Sequence, residues 1–119
     1  MEEMIQVFLS AIRKQSHVLK LIENVDVLKI KLISDNAEEI LVFHRGEVFV
    51  LVDNDESTEA YVISGQRDSI YSLLSGKEKL RNLIHYKKLN LTAPFRTKLL
   101  IESIFYLTKL EKQFEKVIS

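Results

Sequence analysis

The chain predicts an α+β domain: a helix, four strands, two short helices, a fifth strand and a last helix. Three observations predict it. Apolar residues recur at helical spacing from Glu2 to about Ile22. They then fall into four successive strand-like runs between Val25 and Ile63. The stretch Val62 to Lys77, VISGQRDSIYSLLSGK, leaves a strand at Ser64-Gly65, enters a short helix through Ile70, Leu73 and Leu74, and stops at Ser75-Gly76.

In the first helix Ile5, Phe8, Ile12, Leu19 and Ile22 form one stripe, with Arg13, Lys14, Ser16, His17 and Lys20 off it. Val25 to Ile33 is a half-solvated strand, because Leu28, Ile30 and Leu32 face one way and Lys29 and Lys31 the other. Ser34-Asp35-Asn36 supplies turn chemistry. Glu39 to His44 is a second strand, and Arg45-Gly46 links it as a hairpin to a third, Glu47 to Val52. Val48, Val50 and Val52 share one face of that third strand and Phe49 and Leu51 the other, so both faces should be covered and the strand should be central. Asp53 to Ser57 is a polar loop and Thr58 to Ile63 the fourth strand. Lys77 to Ile84 is a second short helix, and Lys87 to Thr92 a fifth strand with Leu89 and Leu91 on one face. Pro94 opens the last helix, where a missing N–H costs nothing.

The 119 residues are the size of one domain, taken as 1–119, with no linker or repeat. Apolar residues make up 46% and charged residues 29%, the balance of a soluble globular protein. Basic and acidic residues number 17 each, which removes any overall draw toward nucleic acid. The chain has no cysteine, so disulfides, thiolate metal sites and cysteine nucleophiles are excluded. The acidic start MEEMIQVFLS does not read as a signal peptide, and no apolar run approaches the ~18 residues of a membrane span. A cytoplasmic protein without stable membrane insertion is expected.

The last helix carries the functional hint. Extended from Pro94 to Val117 it would be about 35 Å long. Leu99, Leu110, Phe114, Leu107, Leu100 and Ile104 form a broad stripe, Ile101 and Phe105 extend it on one side, and Tyr106 on the other. A helix that only lies on a sheet needs an apolar arc of little more than ~100°. The surplus fits a deeply buried core helix, a helix that lines a lipid cavity, or a dimer interface.

The element order, with Ser64-Gly65 at a strand end, Leu73-Leu74-Ser75-Gly76-Lys77 at a helix stop and Gly46-Glu47-Val48 opening a strand after a tight turn, resembles the sterol carrier protein 2 (SCP-2) family of lipid-binding domains from about Phe8 to Leu110. The chain departs from that pattern at Leu91-Thr92-Ala93-Pro94-Phe95, where many members have a glycine, often Gly-Asp. It departs again at His85-Tyr86, where a glycine often precedes the fifth strand. It closes on Val117-Ile118-Ser119 rather than a peroxisomal Ser-Lys-Leu, which fits a bacterial single-domain member. The resemblance implies a five-stranded, mostly antiparallel sheet covered by helices on one face. It also implies an apolar tunnel between them, open to fatty acyl groups, sterols or quinones.

Chemistry of other kinds finds no support in the sequence. His17, His44 and His85 are far apart and match no metal motif. No nucleophile elbow or phosphate loop is present, and three glycines are too few for a phosphate cradle. Asp53, Asp55, Glu56 and Glu59 read as a solvated loop rather than a calcium site. Arg81, His85, Lys87 and Lys88 form a small basic cluster near Tyr86, suited to an anionic headgroup or, more simply, to solvent.

The expected function is therefore non-catalytic binding of a hydrophobic, lipid-like ligand, with no cofactor, metal or catalytic residue. The expected pocket residues are Leu99, Leu100, Ile104, Phe105 and Leu107 of the last helix, Ile70 and Leu74 of the short helix, Phe8 and Ile12 of the first, and Phe49 and Leu51 of the sheet. The alternative is an interaction domain whose apolar surface is used by a homodimer or a protein partner.

Overall fold

Period-two alternation builds the sheet. β1 (Leu28–Ser34) alternates buried and half-buried residues along its whole length, which sends Leu28, Ile30 and Leu32 into the core and leaves Lys29 and Lys31 on the other face. The computed structural model describes residues 2–35, 37–51 and 60–108. β2 (Ala37–His44) pairs antiparallel with β1, setting Phe43 opposite Leu28 and Leu41 opposite Ile30. β3 (Glu47–Leu51) continues the meander through Arg45 (φ 47°) and Gly46 (φ 87°), two left-handed residues that make the hairpin turn. β4 (Tyr61–Gly65) pairs parallel with the other side of β1, and β5 (Leu89–Leu91) pairs antiparallel with β4. The order is β3-β2-β1-β4-β5, so the sheet is mixed with one parallel pairing.

The third strand is therefore an edge strand, which corrects the expectation that it is central. Its apolar outer face has a local use: Phe49 stands opposite Val42 and Leu51 opposite Ile40, so the two edge residues flank buried neighbours on β2. Its free edge is partly satisfied from α1 (Glu2–Arg13), whose Arg13 Nη2 donates to the Val48 carbonyl at 3.0 Å.

The first helical pattern is also two helices rather than one. α1 ends at Arg13, Gln15 takes an extended conformation, and α2 (Ser16–Glu23) starts in a new direction. The apolar stripe had a gap there, because the positions three and four after Ile12 are Gln15 and Ser16. The break rephases the second segment, so that Val18 rather than Leu19 is fully buried beside Ile22. The β2–β3 turn closes the end of α2: Gly46 N–H donates to the Ile22 carbonyl at 3.1 Å, and Arg45 N–H to the Val25 carbonyl at 2.8 Å.

α3 (Arg67–Leu74), α4 (Leu80–His85) and α5 (Phe95–Thr108) complete the helical side. α1 and α2 pack on β3, α2 also on β2, α3 on β1 and β4, and α4 on β5. α5 packs on the other four helices. One continuous core joins the inner face of the sheet to this helical layer. The predicted part of the last helix beyond Thr108, the loop at 53–57 and the start of the fourth strand at Thr58 lie outside the described residues.

Candidate functional site

The centre of the helical layer is apolar because α1, α3 and α5 pack against one another and each buries an apolar face. α1 contributes Phe8 and Ile12, α3 contributes Ile70 and Leu74, and α5 contributes Ile101, Ile104 and Phe105, all buried in the same core. Phe8 and Phe105 stack there, with ring centroids 5.1 Å apart. Below them the sheet supplies Ile30, Leu32, Leu41, Phe43, Val48 and Ile63.

Six of the expected pocket residues thus belong to one continuous core: Phe8, Ile12, Ile70, Leu74, Ile104 and Phe105. Leu100 packs against the same core half-buried. The other four do not join them. Phe49 and Leu51 stand on the opposite face of the sheet from Val48, and line a groove against α1 with Glu2, Gln6 and Arg13. The sheet side of the interior belongs to Val48 instead, which strand parity with Phe43 would have indicated. Leu99 and Leu107 are 41% and 37% exposed. The buried arc of α5 is Ile101, Ile104, Phe105 and Thr108, a helical stripe narrower than the wheel suggested.

Polar groups in this interior are few. Thr108 Oγ1 donates to the Ile104 carbonyl at 2.7 Å, which removes its cost. Ser34, at the end of β1, is buried, and its Oγ has no hydrogen-bond partner among the described residues. Sequence reasoning did not single it out, because a serine before Asp35-Asn36 reads first as part of a turn.

Among the described residues, no group of three or more His, Asp and Glu side chains could hold a metal ion. The three histidines are exposed, on separate elements. Tyr71 is exposed, and Tyr61 and Tyr106 are half-buried. No described helix is long and apolar enough to cross a membrane.

The mixed five-stranded order with all helices against one face has counterparts among solved structures. A protein described as UbiJ-SCP2 ubiquinone synthesis protein superposes with a TM-score of 0.68 over 87% of this chain and 90% of that one, at 13% identity. The chain has the sterol carrier protein 2 fold. The same SCP-2 architecture appears in sterol carrier protein domain 2 of Helicoverpa armigera, with a TM-score of 0.60 over 91% and 86% of the two chains at 16% identity. Sterol carrier protein 2 from Yarrowia lipolytica, in its apo form, gives 0.57 over 87% and 88%, also at 16% identity. No family model matches the sequence and no curated protein matches it. The SCP-2 fold is thus reached here with little shared sequence, as the departures at His85-Tyr86 and Leu91 to Phe95 indicate.

Proposed function

We propose that the protein binds a hydrophobic, lipid-like ligand without transforming it, and serves as a carrier or an accessory to an enzyme. The observation that supports this most is the all-apolar meeting point of α1, α3 and α5, set in a fold shared with solved proteins described as sterol carriers. A ligand entering there would part α5 from α1 at the Phe8–Phe105 stack and lie against Ile12, Ile70, Leu74 and Ile104. Burial supplies the affinity, at about 25 cal/mol per Å² of apolar area. Ser34 Oγ is a polar group to which a hydroxyl or carbonyl on the ligand would bond.

Native mass spectrometry of freshly purified protein, followed by organic extraction, tests the reading. A co-purifying lipid-sized adduct, or saturable binding of a fluorescent fatty acid or quinone analogue, is expected. A protein that carries nothing and binds none of these probes would lack the proposed activity. A second reading, a homodimer, is favoured by Phe49 and Val62, which are exposed on the open face of the sheet. Size-exclusion chromatography with light scattering separates the two: a dimer that binds no lipid probe selects the second.

A further inference from the structure

A chain whose overall charge is balanced is uneven along its length. From Lys79 to Ile101 it carries Lys79, Arg81, Lys87, Lys88, Arg96 and Lys98 and not a single Asp or Glu. The sequence pattern alone showed the cluster around Tyr86. The packing of α5 on α4 adds Lys98 to it, because Arg81, His85, Phe95, Lys98, Leu99 and Glu102 line one groove of about 470 Å³ between the two helices.

The largest exposed apolar side chains of the described structure lie in the same place. Phe95 is 75% exposed and Tyr86 is 68% exposed. Tyr86 follows α4 and Phe95 opens α5, so each ring sits where a helix meets a connection. Leu99 stands one turn along from Phe95 on the same face of α5. Of the basic residues, Arg81 is taken by Glu102 at 2.9 Å, and Lys79 stands over the Tyr106 ring at 4.9 Å. Lys87, Lys88, Arg96 and Lys98 form no salt bridge among the described residues; Lys98 lines the α4–α5 groove, whereas Lys87 and Lys88 line a neighbouring one that also holds Asp35, Asp68 and Glu78.

We propose that this corner, from α4 through β5 to the start of α5, docks the protein on an anionic lipid surface. The protruding aromatic rings enter the headgroup boundary, and Lys87 next to Tyr86, Arg96 next to Phe95 and Lys98 in the groove with Phe95 meet the negative headgroups. The side-chain chemistry favours a bilayer over an acidic protein. Lysine is a flexible point charge that serves a diffuse field of headgroups, whereas a fixed carboxylate partner is matched by a guanidinium fork. Here the one arginine in the groove is already paired internally. The surface lies outside the apolar interior, so the proposal does not depend on the interior holding a ligand.

Co-sedimentation of the full chain with vesicles tests it. The protein is expected to bind vesicles of equal parts phosphatidylcholine and phosphatidylserine, to ignore pure phosphatidylcholine, and to be released by salt. Lys87→Gln and Lys98→Gln should each weaken binding about fivefold, and Phe95→Ser about tenfold. Lys20→Gln, exposed on α2, should leave it unchanged. All four positions are partly or fully exposed, and unaltered melting temperatures would show that the variants fold. Equal binding to both vesicle types overturns the proposal, as does an equal loss in Lys20→Gln. Retention on polyglutamate without binding to vesicles also overturns it, and would assign the surface to an acidic protein.

Discussion

Phe8 of α1 and Phe105 of α5 stack with their rings inclined at 28°, and neither is exposed to solvent. The contact joins an early helix to the last one described, across a core that neither could bury alone. Phe105→Ala should therefore cost about 3–5 kcal/mol, a large part of the roughly 5–15 kcal/mol that holds a small domain together. Urea unfolding should show a lower midpoint. A double-mutant cycle with Phe8→Leu and Phe105→Leu should return a coupling of about 0.5–1.5 kcal/mol.

Gly65 is needed for space rather than for backbone freedom. A Cβ there would stand 2.5 Å from Leu89 Cδ2 and 2.5 Å from the Lys88 carbonyl oxygen. Backbone cannot give way as a flexible side-chain tip would, so Gly65→Ala should destabilise by about 1–3 kcal/mol and loosen β5. Gly46 has room for a Cβ, with its nearest contact at 3.9 Å, but its φ is 87°. Gly46→Ala should cost about 1 kcal/mol through the backbone alone. Amide exchange should separate the two, with faster exchange in β5 for the first and at the β2–β3 turn for the second.

Ser34→Ala removes a buried hydroxyl that has no partner among the described residues. The ligand-free protein should gain about 1 kcal/mol, because the desolvation cost disappears with the group. If Ser34 anchors the ligand, the same variant should bind a quinone or fatty acid probe more weakly. Thermal melts with and without the probe measure both effects in one experiment.

Glu102 holds Arg81 at 2.9 Å, with the carboxylate largely covered and the guanidinium largely exposed. The pair is worth at most about 1 kcal/mol to stability. Glu102→Gln should hardly change the melting temperature, but it frees a positive charge in the α4–α5 groove. Binding to anionic vesicles should tighten about fivefold, and light-scattering titrations would record it.

The strands and the Arg45-Gly46 turn were legible in the sequence because they rest on local rules: alternation at Leu28, Ile30 and Leu32, and two left-handed residues between paired runs. Features set by the third dimension were not. Both faces of β3 are apolar, which reads as a central strand. Nothing local tells that Phe49 and Leu51 flank Val42 and Ile40 at an edge. The break at Gln15 was visible only as a gap after Ile12, which a continuous wheel averages away. In α5 composition misled: Leu99 and Leu107 are as apolar as Ile104, but α5 buries the arc through Ile101, Ile104 and Phe105 and leaves those leucines at the surface. The burial of Phe8, Ile12, Ile70, Leu74, Ile104 and Phe105 was legible because each lies on the apolar stripe of its own helix.

The parallel pairing of β1 with β4 favours one order of assembly. Ile30 meets Leu41 across a tight hairpin, but it meets Tyr61 only after β2, β3 and the crossover have been made. Loop-closure entropy thus lets the three-strand meander form ahead of the second half of the sheet. Phe105 comes later still in the chain. During synthesis the apolar residues of α1 and the meander emerge before the helix that covers them. Until α5 emerges and docks, fast folding or a chaperone would keep those residues from aggregating.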